Sequence, residues 1–253
     1  MASAATAAAP SPAPPISDLV YRRPRPLNNA LDGGTSLLST RDFRFARGTN
    51  SVLLTGGEFA AAAHCYPIVF GTGEAPAPLA VLGLRTGENL FVAADGQWLA
   101  NHHVPLFIRR YPFGLMQHPD GSQLVLCIDE AAEALVKSDE RPLFQNGEPT
   151  QLVRDAMKLC GDLHGQHQAS VEFVRALDQQ GLLVRNELRF VANAGEQLTL
   201  NGFAVVDEAK FNALPDELFL DWRRRGWLNL VYCHLLSMAN WRRLGDLAAL
   251  PRR

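Results

Sequence analysis

"FGLMQHPDGSQLVLCID", residues 113–129, sets the architecture of this chain. Its two apolar runs, 113–118 and 123–129, are each too short for an ordinary helix and flank the turn-forming "HPDGS". A short apolar run, a Pro-Gly turn and a second short apolar run describe two antiparallel strands. The same grammar extends upstream. "PIVFG" (67–71), "LAVLGLR" (79–85) and "NLFVA" (89–93) are punctuated by "GTGEAPAP", "RTGEN" and "AADGQ". Ahead of them, "GGEFAAAAHCYP" has the alanine density of a short helix, with Gly56 and Gly57 before it and Pro67 closing it.

Past residue 150 the period changes. "PTQLVRDAMKLCGDL" and "HQASVEFVRALDQQGLL" place Leu152, Ala156 and Leu159, then Val171, Val174, Leu177 and Leu182, at helical spacing, which predicts two helices with Gly181 as a C-cap. "ELRFVA" and "QLTLNGFAVVD" return to strand alternation around a turn at "NAGEQ", and "DEAKFNAL" makes a short helix. From Pro215 a terminal helix is expected to run for about two dozen residues, its second half apolar around much of its circumference and therefore buried. Strands, then helices, then two strands and a long C-terminal helix describe an α+β single domain, mainly antiparallel sheet. Residues 51–253 form that domain, residues 17–50 read as an irregular arm around "NNALDGGTS", and residues 1–16 as a disordered Ala/Pro tail.

With 253 residues, 47% of them hydrophobic and 20% charged, the chain can bury a sizeable core. No apolar run reaches the roughly 18 residues of a membrane-spanning helix. The start lacks the basic and continuous apolar regions of an export signal, so a cytoplasmic protein is expected. Cys65, Cys127, Cys160 and Cys233 form no C-x-x-C pair, which argues against a zinc knuckle or a dithiol centre and reads as buried thiols in a reducing compartment. The net charge of −2 conceals an excess of three positive charges in each of residues 1–50 and 215–253. "YRRPRP" (21–26) and "WRRRGW" (222–227) interleave arginine with aromatics but extend into no longer basic tract, so no nucleic-acid partner is expected.

Reaction-naming motifs are missing. "FGTGEAP" (70–76) lacks the third glycine of a dinucleotide fingerprint and continues into prolines where a helix should open. Neither a G-x-S-x-G elbow nor a phosphate-binding loop occurs, and no cofactor is expected. His164 and His167 in "DLHGQH", beside Asp162, lie where Gly161 and Gly165 should break the helix, and they read as a polar turn. With His234 they make the alternative metal set, although His234, inside the apolar terminal helix, reads first as a core histidine. Asp129 and Glu130 end a strand, while Asp207 and Glu208 suit a helix cap.

The densest chemistry is "WLANHHVPLFIRRYPFG", residues 98–114. In an extended segment neighbouring side chains point to opposite faces, so His102 and His103 should not share one ion, nor Arg109 and Arg110 one phosphate. Pro105 and Pro112 mark bends, which suggests an edge position on the sheet. Trp98, Phe107, Tyr111 and Phe113 either line a pocket or belong to the core.

"CYPIVF", "LGLRTGENLFVAADGQWLANHHVPLFIRRYPF", "LVLCIDE", "RPLFQNGEPT", "LNGFAVVDEAKFNAL" and "GWLNLVYCHLLSMANW", in that order, resemble the bacterial SapC family over roughly residues 50–245. The most specific part is "GENLF…GQW…VPLFIRRYPF". The resemblance carries over no catalytic residue. The family is named after a protein linked to a surface-layer locus, and genes for similar proteins lie near TonB-dependent receptors and flavin-dependent halogenase-like enzymes. It thus implies a non-catalytic accessory protein that assists peptide or protein modification or TonB-linked uptake. Such a protein would hold a protein or peptide partner through Trp98, His102, His103, Phe107, Arg109, Arg110, Tyr111 and Phe113. Two alternatives stand beside it. One is a metal-dependent or other enzyme that uses His102 or His103, His164, His167 and His234 with Asp129 or Asp207; the other is a surface-layer component.

Overall fold

The computed structural model describes residues 20–39, 42–73, 76–118, 123–191 and 197–249. The tail 1–16, the "HPDGS" turn beyond His118 and the "NAGEQ" turn up to Glu196 lie outside the described residues. In chain order come β1 (Pro24–Pro26), α1 (Asn29–Asp32), β2 (Ser36–Leu37), β3 (Ser51–Leu53), α2 (Phe59–Ala63), β4 (Ile68–Gly71) and β5 (Pro78–Val81). The middle of the chain supplies α3 (Leu106–Arg109), β6 (Phe113–Gln117), β7 (Leu124–Asp129), β8 (Leu135–Val136), β9 (Phe144–Gln145) and β10 (Glu148–Pro149). The remainder is the long helix α4 (Gln151–Gln179), the strands β11 (Leu183–Val191) and β12 (Gln197–Val206), and then α5 (Glu208–Asn212), α6 (Asp216–Arg224), α7 (Trp227–Ser237) and α8 (Asn240–Ala249). The sheets are antiparallel and the architecture is the mixed α+β one expected. No described helix is long and apolar enough to cross a membrane.

Two compact units divide the chain: residues through Leu38 with Pro112–His164, and Ser39–Tyr111 with residues from Gly165 onward. In the first, β7 is the middle strand of the sheet β1-β7-β6, with Leu115 opposite Leu126 and Phe113 opposite Ile128. The period-2 alternation turns Phe113, Leu115, Leu126 and Ile128 to one face, where they form a core with Leu143, Phe144 and the α4 residues Val153, Ala156 and Cys160. β1 adds "PRP", from the stretch read as an irregular arm, and its prolines are tolerated because it is an edge strand. Asp129 ends β7 fully buried and accepts the backbone N–H groups of Arg22, Arg23 and Ala131 at 2.9–3.1 Å.

Arg25 grips the buried Asp32 with both terminal nitrogens, at 2.9 and 2.7 Å. Burial alone would raise the Asp32 pKa, but the Arg25 hydrogen bonds and the Asn28 N–H outweigh it and hold the carboxyl below its usual range. A carboxyl lowered by folding contributes stability that is complete above its unfolded value near pH 4 and is lost as pH falls through the lower folded value. Asp32→Asn should therefore cost about 2 kcal/mol at neutral pH and less in acid, as read from urea midpoints at pH 7 and below pH 3.

The second unit is built on a five-stranded antiparallel sheet in the order β11-β12-β4-β5-β3. Its interior includes Phe59, Tyr66, Phe70, Phe91, Phe173, Phe211 and Trp222, all essentially inaccessible. At one point a helix side chain completes the sheet. β12 pairs with β4 at Phe203↔Gly71 and Ala204↔Phe70, and continuing that register would set Val206 opposite Ile68. Instead the His234 ring of α7 lies between them. Val206 N–H donates to Nε2 at 3.1 Å, which leaves the hydrogen on Nδ1 to donate to Ile68 O at 2.7 Å. Ser237 Oγ accepts Ile68 N–H at 2.9 Å and donates to His234 O, so α7 satisfies both backbone groups of Ile68.

The structure corrects four sequence expectations. The two helices predicted between 150 and 183 are one, α4. Val153, Ala156, Cys160, Leu163, His167, Ser170, Val174 and Leu177 form a buried stripe at alternating steps of three and four through Gly161 and Gly165, widened by the buried Phe173 beside Val174, and that stripe outweighs the low helix propensity of two glycines. Both glycines face open space, so Gly161→Ala and Gly165→Ala should each stabilise by about 0.5–1 kcal/mol, measurable as a raised Tm. Second, the single terminal helix is three: Gly226 adopts φ +74° and turns the chain between α6 and α7, and a tighter turn at Met238 and Ala239, whose N–H groups donate to Leu235 O and Leu236 O, separates α7 from α8. Third, "NLFVA" is no strand: Asn89 Oδ1 accepts Phe91 N–H at 2.9 Å, a local turn that displaces the ladder, and an isolated bridge joins Val92 to Trp98. Fourth, residues 98–112 are not an extended sheet edge, and only at Phe113 does the chain enter the edge strand β6. Asn101 has φ +61°, and after Pro105 the chain makes the helical turn α3.

Candidate functional site

The site grows from a turn that sequence reasoning passed over, "TGGE", residues 55–58. β3 leads into a 3-10 turn at Gly56–Glu58 closed by a reciprocal capping box between Thr55 and Glu58. A Thr followed three residues later by Glu before an apolar run is the sequence signal of that box, and it would have singled out Glu58. Thr55 N–H reaches Glu58 Oε2 at 3.0 Å, and Thr55 Oγ1 lies 3.1 Å from the same oxygen. The other oxygen, Oε1, accepts Leu106 N–H at 2.7 Å and faces His103 Nε2 at 2.9 Å. Leu106 opens α3, so this carboxylate also satisfies one of that helix's orphan N–H groups. Glu58 is 4% exposed, and donors occupy both of its oxygens.

His103 is held by its backbone as well as its ring. Its N–H donates to Cys65 Sγ at 3.4 Å, and its carbonyl accepts the Tyr66 hydroxyl, which in turn accepts Trp98 Nε1–H at 2.9 Å. Burial pushes the Tyr66 phenol well above its ordinary range, so it remains a donor. Tyr66 also meets Phe91 edge-on at 4.6 Å, and Trp98 packs edge-on against Phe43 at 5.6 Å. The carboxylate fixes the tautomer, with Nε2 carrying the hydrogen. Nδ1 makes no hydrogen bond among the described residues.

His102 turns elsewhere. Its Nδ1 lies 2.8 Å from Ala100 O and its Nε2 2.7 Å from Arg243 Nη2 on α8, so Nδ1 donates and Nε2 accepts. Arg243 also reaches His64 O, and Asn240 Nδ2 donates to Ala63 O and Tyr66 O at 2.7 and 3.1 Å, which ties α8 to the end of α2. The doublets divide as expected, although loop and helical-turn geometry divides them rather than strand alternation. Arg109 is exposed, whereas Arg110 is buried with its guanidinium 4.6 Å from the Phe107 ring centre.

Trp98 and Phe107 are buried, so the question between pocket and core resolves toward core for them. Tyr111 is half-buried and stacked on Phe45 at 3.9 Å. Phe113 belongs to the other unit, in the core of its β6–β7 sheet. The proposed histidine set does not converge. His234 has both ring nitrogens on backbone groups, and burial lowers its pKa to about 4. His164 belongs to the first unit and His167 to the second; burial lowers the His164 pKa, and His167 meets Phe107 edge-on at 5.8 Å. Asp129 serves backbone N–H groups, Asp207 caps α5 through Lys210 N–H, and Asp162 pairs with Lys158. Among the described residues no three His, Cys, Asp or Glu side chains gather as a metal site.

Chemically, the arrangement amounts to one carboxylate-oriented imidazole and a brace of hydrogen bonds around it. A family model described as SapC matches residues 27–244. Comparisons with curated proteins and with solved structures find no match.

Proposed function

Since the chain belongs to the SapC family, we propose that it is a non-catalytic accessory protein that holds a protein or peptide partner. The observation that carries this reading is where its polar chemistry goes. Glu58, His102, His234, Asp129 and Asp207 are all committed to hydrogen bonds within the fold, several of them to backbone groups. Large apolar side chains, by contrast, stay outside, with Leu236 at 73% exposure, Leu220 at 47% and Tyr232 at 46%. The four buried cysteines, none of them in a disulfide, suit a reducing compartment, and a cytoplasmic site of action belongs to the same proposal. A halogenase-like modifying enzyme or a TonB-linked uptake system as the partner rests on the family resemblance alone.

One observation favours a second reading as an enzyme. A buried carboxylate orienting His103 is how a general base is positioned, and its Nδ1 is unengaged among the described residues. The two readings separate experimentally. Affinity capture from the native host, identification of the partner by mass spectrometry and reconstitution from purified components should give a stoichiometric complex that His103→Gln leaves intact. No reconstituted complex, together with turnover in a hydrolase substrate panel that His103→Gln abolishes, would replace the first reading by the second.

A further inference from the structure

Helix α7 presents two different faces. Leu228, Val231, His234 and Ser237 are buried, and the last two stitch the helix to β4. Tyr232 and Leu236, four residues apart and so on one face, point outward with the exposed Asn229 one turn earlier. A single exposed leucine is ordinary, but these two side chains form a supported stripe. Tyr232 rests edge-on against the buried Phe211 at 5.6 Å, and Phe211 meets Phe219 at 6.2 Å. The exposed side chain thus stands on a rigid aromatic base.

Charge closes in on this stripe from both ends of the helix. From Trp222 through Gly245 the sequence contains five arginines and no acid. Arg223 and Arg224 precede α7, Arg242 and Arg243 follow it, and all four are exposed. Asp221 pairs with Arg225 and Arg224, and Glu172 with Arg225, while the exposed Asp216 and Glu217 at the start of α6 and Asp246 on α8 bound the basic segment on either side. Arg223 and Arg242 form no ion pair among the described residues. The result is an apolar centre on a helix about 16 Å long, with cationic ends.

We infer that the Tyr232–Leu236 face of α7 docks an acidic amphipathic peptide segment of the partner, its apolar residues covering the stripe and its carboxylates meeting the arginines at both ends. This rests on the accessory-protein reading and specifies the surface and chemistry it uses. Apolar anchors supply the affinity, and the charges supply orientation and association rate.

The test uses the full chain and a fluorescent synthetic helical peptide with leucines at i and i+4 and glutamates around them, read by anisotropy. Binding is expected to weaken at least tenfold with Leu236→Glu and with the pair Arg223→Glu, Arg242→Glu, and to fall as salt rises. Both variants change exposed side chains only, and circular dichroism confirms their folding. Equal binding by a peptide with serines in place of the leucines, equal binding by a lysine version, or indifference to Leu236→Glu would each overturn the proposal. So would Leu236-dependent binding to vesicles of anionic lipid without any binding of the peptide. A reconstituted native partner that binds wild type and Leu236→Glu alike removes this surface and leaves the accessory reading standing; the absence of any reconstituted partner removes that reading itself.

Discussion

His234→Leu is expected to lower stability by about 3–5 kcal/mol at pH 7, because it removes both partners that the ring offers and leaves Ile68 O and Val206 N–H buried without them. The pH dependence should identify the cause. The imidazole is neutral in the fold, with its pKa lowered to about 4 by burial, while an unfolded histidine titrates near 6.5. A proton added to Nε2 would confront the Val206 N–H. Stability from a group lowered in this way is complete above about pH 6.5 and declines as pH falls toward about 4, by about 3 kcal/mol in all. Wild type should show that decline in urea midpoints between pH 7 and 4, and His234→Leu should lack its share of it. His234→Gln, which can keep one of the two bonds, should fall between them. A leucine variant within 1 kcal/mol of wild type would show that water or rearrangement takes over the ring's bonds.

Glu58→Ala should cost at least about 3 kcal/mol. The truncation abandons the Thr55 N–H, the Leu106 N–H and the His103 ring at once, in a place that solvent reaches poorly. The loss should be spatially uneven. Hydrogen exchange at Leu106 and His103 should accelerate far more than at Leu126 or Ile128, which belong to the other unit's sheet. His103→Gln should cost only about 1 kcal/mol, because its ring is partly exposed and a glutamine amide can still donate to Glu58. If His103→Gln matched Glu58→Ala, the imidazole rather than the carboxylate would be the centre of the brace.

Why some of this was legible in sequence and some was not follows from the range of the interactions. β6 and β7 were readable because alternation within each strand is a local property and their partners are near in the chain. The short α2 and α5 were readable from alanine content and from the Asp207 cap. α4 was misread as two helices because the glycines weigh on local propensity, whereas the stripe from Val153 to Leu177 that holds it together is a tertiary property. The terminal helix was overextended because its apolar pattern runs across Gly226, whose positive φ the pattern does not reveal. At the site, the histidine and arginine doublets announced themselves by composition. Glu58 did not, although its capping box was written in Thr55 and Glu58. That its second oxygen serves residues 103 and 106 lies beyond any local signal.

The His234 insertion also bears on the order in which the nascent chain matures. Every residue of the first unit has been synthesised by His164, whereas β4 is still without β12, and its contact with His234 spans 166 residues. At typical rates of synthesis that interval is roughly 8–30 s, during which the apolar edge of "IVFG" is a sticky template for neighbouring chains. Chains that stop before α7 should therefore depend heavily on chaperones and collect in inclusion bodies, whereas chains cut after residue 249 should not. Helix α7 acts as the stitch that closes this sheet during synthesis, so an interruption ahead of it withholds the stitch whereas one placed after α8 leaves it available.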